Sequence, residues 1–337
     1  MIRKVLKIIL WLIVGLLALI LIASFILSLK KKPDAIDYGM SFNVPYAQEL
    51  GLDWKETYLA ILDDLGVKKL RLAGQWNLIE PKKDRFDFSA LDFQLNEARK
   101  RNVEVILSIG RRTPRWPECH VPGWASDFIA QEWQAEIMEY LTAVVNRYKS
   151  YDNIIYWQVE NEPFLNAFAN EHCGDLDVAF LDKEIAHVRE LDPSRPILIT
   201  DSGNLGTWAG PYKRGDAFGT SVYIYFWNPE IGKFRTILPP AFYRAKARVM
   251  SLLFGQKETF LIELSLEPWL IESVPNVPIE TQLERMDLDR IKEILEYAEN
   301  TRFEKQYLWG AEWWYWMKQH GHSEFWDFGK EVFKGGE

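Results

Sequence analysis

Cysteine and histidine are scarce in this chain, which has two cysteines and five histidines among 337 residues. Two cysteines exclude a scaffold built on many disulfides, and their spacing matches no zinc motif. The histidines form no HExxH pattern, which argues against a metal site. Walker-type loops, GxGxxG and GxSxG are also missing. The commonest signatures of nucleotide binding and of serine hydrolases are therefore absent.

Basic residues are fewer than acidic ones, and the formal net charge is −8. Residues 1–32 carry six basic groups and no acidic group, so the remainder of the chain carries a net charge of −14. An acidic body of this kind repels phosphate backbones. We therefore expect no nucleic-acid partner.

One long stretch, residues 8–29, contains no charge. A helix there would be roughly 33 Å long, enough to cross a bilayer. The stretch exceeds the roughly 7–15 apolar residues of a signal peptide and lacks a fitting cleavage site, so a retained anchor is favoured over a cleaved signal. Three basic residues stand on each side, at 3, 4 and 7 and at 30–32, and charge alone does not fix the orientation.

Eight short β-rich runs alternate with amphipathic segments typical of helices. The runs are AIDYGMSF, KKLRLA, VEVILSIG, NIIYWQV, PILITD, FGTSVYIY, TFLIEL and QYLWGAEWW. Such alternation predicts an α/β fold with a parallel sheet, and eight units in about 300 residues fit a closed (β/α)8 barrel. A doubly wound open sheet is the alternative. The predicted organisation is a basic segment at 1–7, a transmembrane anchor at 8–29, a linker at 30–36 and one barrel domain at 37–337.

Polar side chains follow two of the apolar runs. Asn161 and Glu162 come after the fourth, in WQVENEPF, and Glu263 ends the seventh. A single buried glutamate would suit an ordinary ion pair. Two of them at carboxyl ends of barrel strands would meet at one face. Opposed carboxyls are what cleavage of a glycosidic bond requires, since one protonates the departing oxygen and the other attacks or assists at the sugar carbon.

From about Tyr38 to Trp326 the chain resembles clan A of the glycoside hydrolases, the retaining (β/α)8 enzymes. The similar segments are RLAGQWNLIEPKKDRFDFSALD, YWQVENEP, SVYIY, LIEL and WGAEWWYW. The resemblance implies that Glu162 is the acid/base and Glu263 the nucleophile. Glu267, four residues further on, is the alternative nucleophile.

The same resemblance implies a set of substrate-binding residues. Arg71 matches the arginine of the barrel, Asn161 the amide that contacts the sugar 2-hydroxyl, and Tyr223 the tyrosine that hydrogen-bonds the nucleophile. Trp313 matches the tryptophan beneath the sugar. Tyr225 and Trp314 are the respective alternatives.

Tryptophan is abundant, with 15 residues. Eight lie at or just beyond predicted strand ends, where a barrel exposes its loops: Trp76, Trp116, Trp124, Trp208, Trp227, Trp269, Trp313 and Trp314. Flat apolar rings with a polar N–H suit a sugar, although core packing explains any one of them equally well. Trp76 is included among the expected binding residues. Glu160 is expected to be structural, and Glu312 either lines the sugar site or supports it.

Cys119 follows the third predicted strand and Cys173 the fourth, so neighbouring loops could bring them into a disulfide. Two free thiols are the alternative. A disulfide would imply an oxidising compartment. It favours a single-pass membrane protein whose globular domain lies outside the cytoplasm.

The sequence thus predicts a membrane-anchored retaining glycoside hydrolase that acts on an oligo- or polysaccharide and needs no cofactor or metal. Retention predicts catalytic carboxyls about 5–5.5 Å apart. A transglycosylase with the same residues is one alternative. A non-catalytic carbohydrate-binding barrel tethered to the membrane is the other.

Overall fold

Eight parallel strands close into a barrel in the computed structural model, which describes residues 33–165, 170–228 and 232–334 and only scattered positions before residue 33. The barrel strands are β1 (Asp37–Ser41), β2 (Lys69–Ala73), β3 (Glu104–Ile109), β4 (Ile154–Val159), β5 (Ile197–Asp201), β6 (Ala217–Val222), β9 (Thr259–Ser265) and β10 (Lys305–Trp309). β1 pairs with both β2 and β10, so the sheet has no free edge. The predicted (β/α)8 barrel is confirmed, and the open doubly wound sheet is wrong.

The predicted sixth strand divides into two elements. Its first part is β6, which ends at Val222. Its last residue, Tyr225, begins a separate strand, β7 (Tyr225–Asn228), which pairs antiparallel with β8 (Gly232–Arg235). This hairpin forms a sheet of its own and is not part of the barrel sheet.

Helices connect the strands and pack around the barrel. They are α1 (Val44–Glu49), α2 (Trp54–Asp63), α3 (Trp76–Ile79), α4 (Ser89–Lys100), α5 (Ala130–Tyr148), α6 (Asn170–Cys173), α7 (Val178–Leu191), α8 (Ala209–Arg214), α9 (Pro240–Phe254), α10 (Ile279–Arg285), α11 (Leu288–Thr301), α12 (Ala311–Gln319) and α13 (Glu324–Lys334), with 3₁₀ turns at Gly123–Ala125 and Val274–Asn276. α11 shows why they form. Asp287 caps its first turn by accepting from the Arg290 N–H at 2.8 Å, and Ile291, Ile294 and Ala298 bury one apolar face.

The core has two layers. A small cluster with Ile106, Leu198, Phe260 and Tyr307 fills the inside of the barrel, and a larger cluster lies between the sheet and the helices. Gly39 is needed for the inner layer, because a Cβ there would lie 2.6 Å from the Tyr307 ring. The interior is therefore packed, and the catalytic face of such a barrel lies at the strand ends.

The predicted eighth strand is too long. β10 ends at Trp309, and Gly310, with φ +120°, turns the chain into α12. Trp313 and Trp314 therefore lie on a helix and not at a strand end. Apolar periodicity did not distinguish the two, since both elements are buried there.

Within the described part of the chain, no helix combines the length and the apolar character that crossing a bilayer requires. The predicted anchor at 8–29 falls, apart from scattered positions, outside the described residues. The anchor and the segment boundaries at 1–7 and 30–36 stay predictions.

Candidate active site

Side chains from four strands meet at the carboxyl face of the barrel. β2 contributes Arg71, the turn after β4 contributes Asn161 and Glu162, and β9 contributes Glu263. Tyr223 follows β6 directly. All the residues that the sequence placed in the catalytic centre are thus brought together except two tryptophans, Trp76 and Trp313, which are described below.

Arg71 links the two sides of the centre. Its Nη1 lies 3.0 Å from Glu263 Oε2, its Nη2 donates to Asn161 Oδ1 at 2.6 Å, and its Nε donates to Gln158 Oε1 at 2.8 Å. Arg71 is only 2 % exposed. Because these donors bind protein acceptors, Arg71 holds the Glu263 carboxylate and the Asn161 amide in register.

Glu263 accepts hydrogen bonds at both carboxylate oxygens. Oε2 pairs with Arg71, and Oε1 accepts from the Tyr223 hydroxyl. The two donors fix the plane of the carboxylate. Burial, followed by the Glu263 charge, raises the pKa of Tyr223 well above its usual range, so the phenol remains a donor. Tyr225 points elsewhere and donates to Glu293 beside the hairpin.

Glu267, the alternative nucleophile, has one oxygen in an ion pair and one, Oε2, without a hydrogen-bond partner among the described residues. Its Oε1 forms an ion pair with Arg115 Nη2 at 2.8 Å. The Arg115 guanidinium also stacks over the Tyr46 ring at 3.1 Å and lies 5.1 Å from the centre of the Trp309 ring. Glu263 is the better partner for Glu162, because Arg71 bonds it to Asn161 and its charge acts on the pKa of Glu162.

Glu162 is a buried acid with a free oxygen. It is 4 % exposed, and its Oε1 has no hydrogen-bond partner among the described residues. Burial raises its pKa well above the ordinary value, and the charge of Glu263 raises it further. A raised pKa favours the protonated form of this carboxyl. Glu162 can therefore donate a proton, whereas Glu263 is arranged as an acceptor.

The backbone of the turn after β4 is unusual. Glu160 has φ +60° and Glu162 has φ +42°, values in the left-handed region that non-glycine residues seldom adopt. The Glu162 N–H donates to Thr200 Oγ1 at 2.8 Å. Strain of this kind persists only where neighbours hold it, and it is common at functional sites.

Glu160 ties this turn to the loop after β3. Its two oxygens accept from the N–H groups of Arg111 and Arg112 at 2.6 and 2.7 Å, and it also shares a hydrogen bond with Glu184. Gly110 makes room, since a Cβ there would lie 2.2 Å from Glu160 Oε1. These contacts give Glu160 a structural role.

Two tryptophans named from the sequence do not face the site. Trp313 is fully buried and donates to Gln282 Oε1 at 2.7 Å, and Trp76 is fully buried and donates to Glu80 Oε2 at 2.8 Å. The predictions that they bind substrate are therefore corrected: both belong to the core. Trp314, the alternative to Trp313, is also buried and donates to the Leu266 carbonyl at 2.9 Å.

Trp309, which the sequence-based prediction missed, lies at the site. It ends β10, its ring stands edge-on to Tyr223 with centroids 6.4 Å apart, and its Nε1 has no partner among the residues described. It lines a hollow with Arg71, Arg115 and Glu312. The signal was Gly310, because a glycine directly after an apolar strand marks the strand end.

Other aromatic and acidic groups surround this centre. Trp269 is 43 % exposed and stands edge-on to Tyr223 with ring centroids 5.5 Å apart, whereas Trp116, 59 % exposed, packs against His172. Glu312 accepts from the Asn43 N–H at 2.7 Å, and burial, opposed by Arg115, raises its pKa to about 7. Glu312 therefore lies in the wall of the hollow.

A disulfide joins Cys119 to Cys173, with an S–S distance of 2.08 Å. It connects the loop after β3 to the short helix α6 after β4. The loops that flank the catalytic turn are thereby linked covalently.

One group of three acids among the described residues could surround a cation: Glu80, Asp84 and Glu136. Glu80 already accepts from the Trp76 indole and the Asp84 N–H, and Glu136 pairs with Lys83 at 2.5 Å. Protein donors thus satisfy this group.

Comparisons with known proteins agree with this geometry. The family model for glycoside hydrolase family 42, described as beta-galactosidase, matches residues 52–305. A curated rice protein (Oryza sativa subsp. japonica), "Putative mannan endo-1,4-beta-mannosidase 5", is 26% identical over 160 residues. The match covers 41% of this chain and 32% of that protein, so the chain spans about a third of that relative's length.

Solved structures show the same fold. A GH5_18 enzyme of Bifidobacterium longum subsp. longum has a TM-score of 0.56 at 12% identity, over 82% of this chain and 70% of that one. A beta-galactosidase of Halorubrum lacusprofundi has a TM-score of 0.52 at 13% identity, over 81% and 52% of the two chains. At such low identity the likeness extends to the fold alone.

Proposed function

Because the chain belongs to glycoside hydrolase family 42, the beta-galactosidases, we propose that it is a retaining glycosidase that hydrolyses a β-linked sugar, with β-galactosides as the first substrates to test. One observation carries the proposal. Glu162, a buried glutamate with an unpartnered oxygen among the described residues and a raised pKa, lies near a second glutamate, Glu263, whose two oxygens accept from Arg71 and Tyr223. Retaining glycosidases need this division of roles.

In the first step, Glu263 attacks the anomeric carbon while the bond to the leaving oxygen breaks. Glu162 gives its proton to that oxygen, and a covalent glycosyl-enzyme forms. In the second step, Glu162 takes a proton from water, which attacks the anomeric carbon and displaces Glu263. The two inversions restore the original configuration, and the expected separation of the carboxyls is about 5–5.5 Å.

The environment of Glu162 suits both steps. Before the reaction, the negative charge of Glu263 helps to keep Glu162 protonated. Once Glu263 is esterified that charge is gone, and the pKa of Glu162 falls. The carboxylate form of Glu162 is then favoured more than before, at the moment when the reaction needs a base.

Neighbouring residues would hold the sugar. Arg71, Gln158 and Thr200 donate to Asn161 Oδ1, so a ligand hydroxyl that accepts from this side chain would take the hydrogen bond from the amide nitrogen. We assign this nitrogen to the 2-hydroxyl of the sugar. Trp309 offers an apolar ring and an N–H without a partner among the described residues, next to Tyr223, and takes the place that Trp313 was expected to fill.

The test is a screen of 4-nitrophenyl β-glycosides, beginning with the galactoside, followed by NMR of the first product anomer. Retention supports the mechanism, and inversion contradicts it. Glu162→Gln should cost about 10²–10⁴-fold in turnover, and Glu263→Gln should abolish the glycosyl-enzyme. If both variants keep full biological function, the protein is a carbohydrate-binding barrel. Transfer to added acceptor sugars in place of water would identify a transglycosylase.

The proposal includes a membrane anchor at residues 8–29 with the barrel outside the cytoplasm. The uncharged sequence of that stretch and the disulfide between Cys119 and Cys173 support it. The experiment is alkaline carbonate extraction of membranes holding the full chain, followed by protease protection. Release of the protein into the soluble fraction contradicts the anchor. A barrel that is protected from protease because it lies on the cytoplasmic side contradicts the orientation.

A further inference from the structure

The peptide unit of Glu162 is held from two directions. Its N–H donates to Thr200, and its carbonyl accepts from Arg112 Nη1 at 3.2 Å. Since φ of Glu162 is +42°, the turn would relax toward an ordinary conformation if these contacts were lost. The carboxyl of Glu162 would then leave its position opposite Glu263.

Arg112 also bonds two further carbonyl groups of this turn. Its Nη1 also donates to the Pro163 carbonyl at 3.0 Å, and its Nη2 donates to the Leu165 carbonyl at 3.0 Å. Its own carbonyl accepts from the Asn161 N–H at 2.9 Å. One buried guanidinium thus fixes the chain after the acid/base residue, while its backbone fixes the residue before it. The acceptors of the Arg112 side chain in this turn are backbone carbonyls.

Arg112 is itself held by the loop on which it lies. The Glu118 carboxylate is 3.6 Å from Arg112 Nη2, and Arg112 and Cys119 face each other in a short antiparallel bridge. Cys119 is bonded to Cys173, whose carbonyl accepts from Arg111 Nη1 at 2.7 Å. The end of the loop after β3 that carries Cys119 is thereby attached to the segment after β4.

We propose that Arg112 is a positioning residue for the acid/base Glu162, and that Glu118 and the Cys119–Cys173 disulfide keep Arg112 in place. This inference rests on the proposed function. Arg112 contacts no reacting atom; it sets the direction in which the Glu162 carboxyl points. Its loss should impair protonation of the leaving group more than attack by Glu263.

Leaving groups of different basicity separate these two effects. A 2,4-dinitrophenolate departs without a proton, whereas a phenolate from a plain phenyl glycoside needs one. The experiment compares kcat/KM for phenyl and 2,4-dinitrophenyl β-glycosides of the sugar cleaved by the wild type, in the full-length protein and in Arg112→Met. We expect a loss of about 100-fold on the phenyl substrate, in the range of general acid catalysis, and less than about 5-fold on the dinitrophenyl substrate.

Arg195 provides a matched control at the opposite end of β4. It also bonds three backbone carbonyls, those of Ile154, Lys149 and Tyr151, and one carboxylate, that of Asp192. Arg195→Met removes equivalent contacts far from the cleft. It should lower the melting temperature without changing the ratio of kcat/KM values between the two substrates.

Arg112→Lys should restore part of the phenyl-glycoside activity. Glu118→Gln and the double variant Cys119→Ser/Cys173→Ser keep Arg112 and should show the same dependence on the leaving group in weaker form. We expect kcat/KM on the phenyl substrate to fall about 5- to 20-fold. If Arg112→Met does not fold, these variants decide the question.

The inference is overturned if kcat/KM falls equally on both substrates, or if the ratio of kcat/KM between the two substrates is unchanged in every loop variant. Either result leaves the proposed function intact. A wild-type protein that cleaves no β-glycoside in the substrate screen overturns the proposed function and this inference with it.

Discussion

Arg71 Nη1 lies 3.0 Å from Glu263 Oε2, and the two residues are 192 positions apart in the chain. Both are almost completely buried. The same guanidinium binds Asn161, so one cation connects Glu263 with the turn that carries Glu162. The active centre is thus a single bonded unit across the mouth of the barrel.

The first prediction concerns this ion pair. Arg71→Met leaves the Glu263 charge buried without its partner, which should cost about 3–5 kcal/mol of stability. It should also cost about 100-fold or more in kcat/KM, because both Glu263 and Asn161 lose their orientation. Thermal unfolding and steady-state kinetics measure the two effects. Arg99→Gln, which breaks an exposed ion pair with Asp152, should change stability by less than about 1 kcal/mol. An equal effect of both substitutions would contradict the prediction.

The second prediction concerns the pKa of Glu162. Burial raises it most, and the like charge of Glu263 adds to the rise. In Glu263→Gln that charge is absent, so the pKa of Glu162 should fall but stay above the ordinary glutamate value. NMR titration of ¹³C-labelled glutamate follows it directly. In the wild type, kcat/KM should decline as the pH rises through the Glu162 pKa, since the acid must carry a proton. A Glu162 pKa that is unchanged or higher in Glu263→Gln would show that the two carboxyls do not interact.

The third prediction decides between two tyrosines. Tyr223 donates to Glu263, whereas Tyr225 donates to Glu293. Tyr223→Phe removes a donor to a charged group, worth about 1.5–3 kcal/mol, so kcat should fall about 10- to 100-fold. Tyr225→Phe should leave kcat within about 2-fold of the wild type, because a single hydrogen bond away from the nucleophile contributes to stability and not to the barrier. The reverse order would place Tyr225 at the nucleophile.

The fourth prediction separates a binding tryptophan from a core tryptophan. Trp309→Ala should raise KM and lower kcat/KM with little loss of fold, because the ring lines the hollow beside Arg71. Trp313→Ala should cost about 3–5 kcal/mol of stability, because that ring is fully buried against Phe325. Kinetics and thermal melts of both variants give the comparison. If Trp313→Ala raises KM in a protein as stable as the wild type, the assignment of Trp309 is wrong.

Much of the architecture could be predicted from sequence. Apolar runs of strand length separated by amphipathic helices define a barrel, and a parallel barrel places every strand end at one face. For that reason Glu162 and Glu263 could be named as partners although they are far apart in the chain. The ends of the strands were predicted less accurately. Tyr225 and Trp313 were interpreted as continuations of strands, because buried strands and buried helix starts have the same apolar character.

Charged contacts could not be predicted. Arg115 meets Glu267, and Arg112 meets the carbonyls after Glu162, only because separate loops cross the barrel mouth. The spacing of apolar residues in the sequence does not indicate which loop passes over which strand. Burial then decides the chemistry, since the pKa of a carboxyl is higher in a buried site than in water.

The sequence by itself determined the alternation of strands and helices, the face where the acids emerge and the residue types available for glycoside cleavage. The tertiary structure decided which tryptophan meets the cleft, which glutamate is bonded to the turn of Glu162 and what holds that left-handed turn. The reason is physical. Hydrophobic periodicity is a local property of the sequence. Hydrogen bonds and ion pairs at the barrel mouth, in contrast, join residues that only the closed sheet brings together.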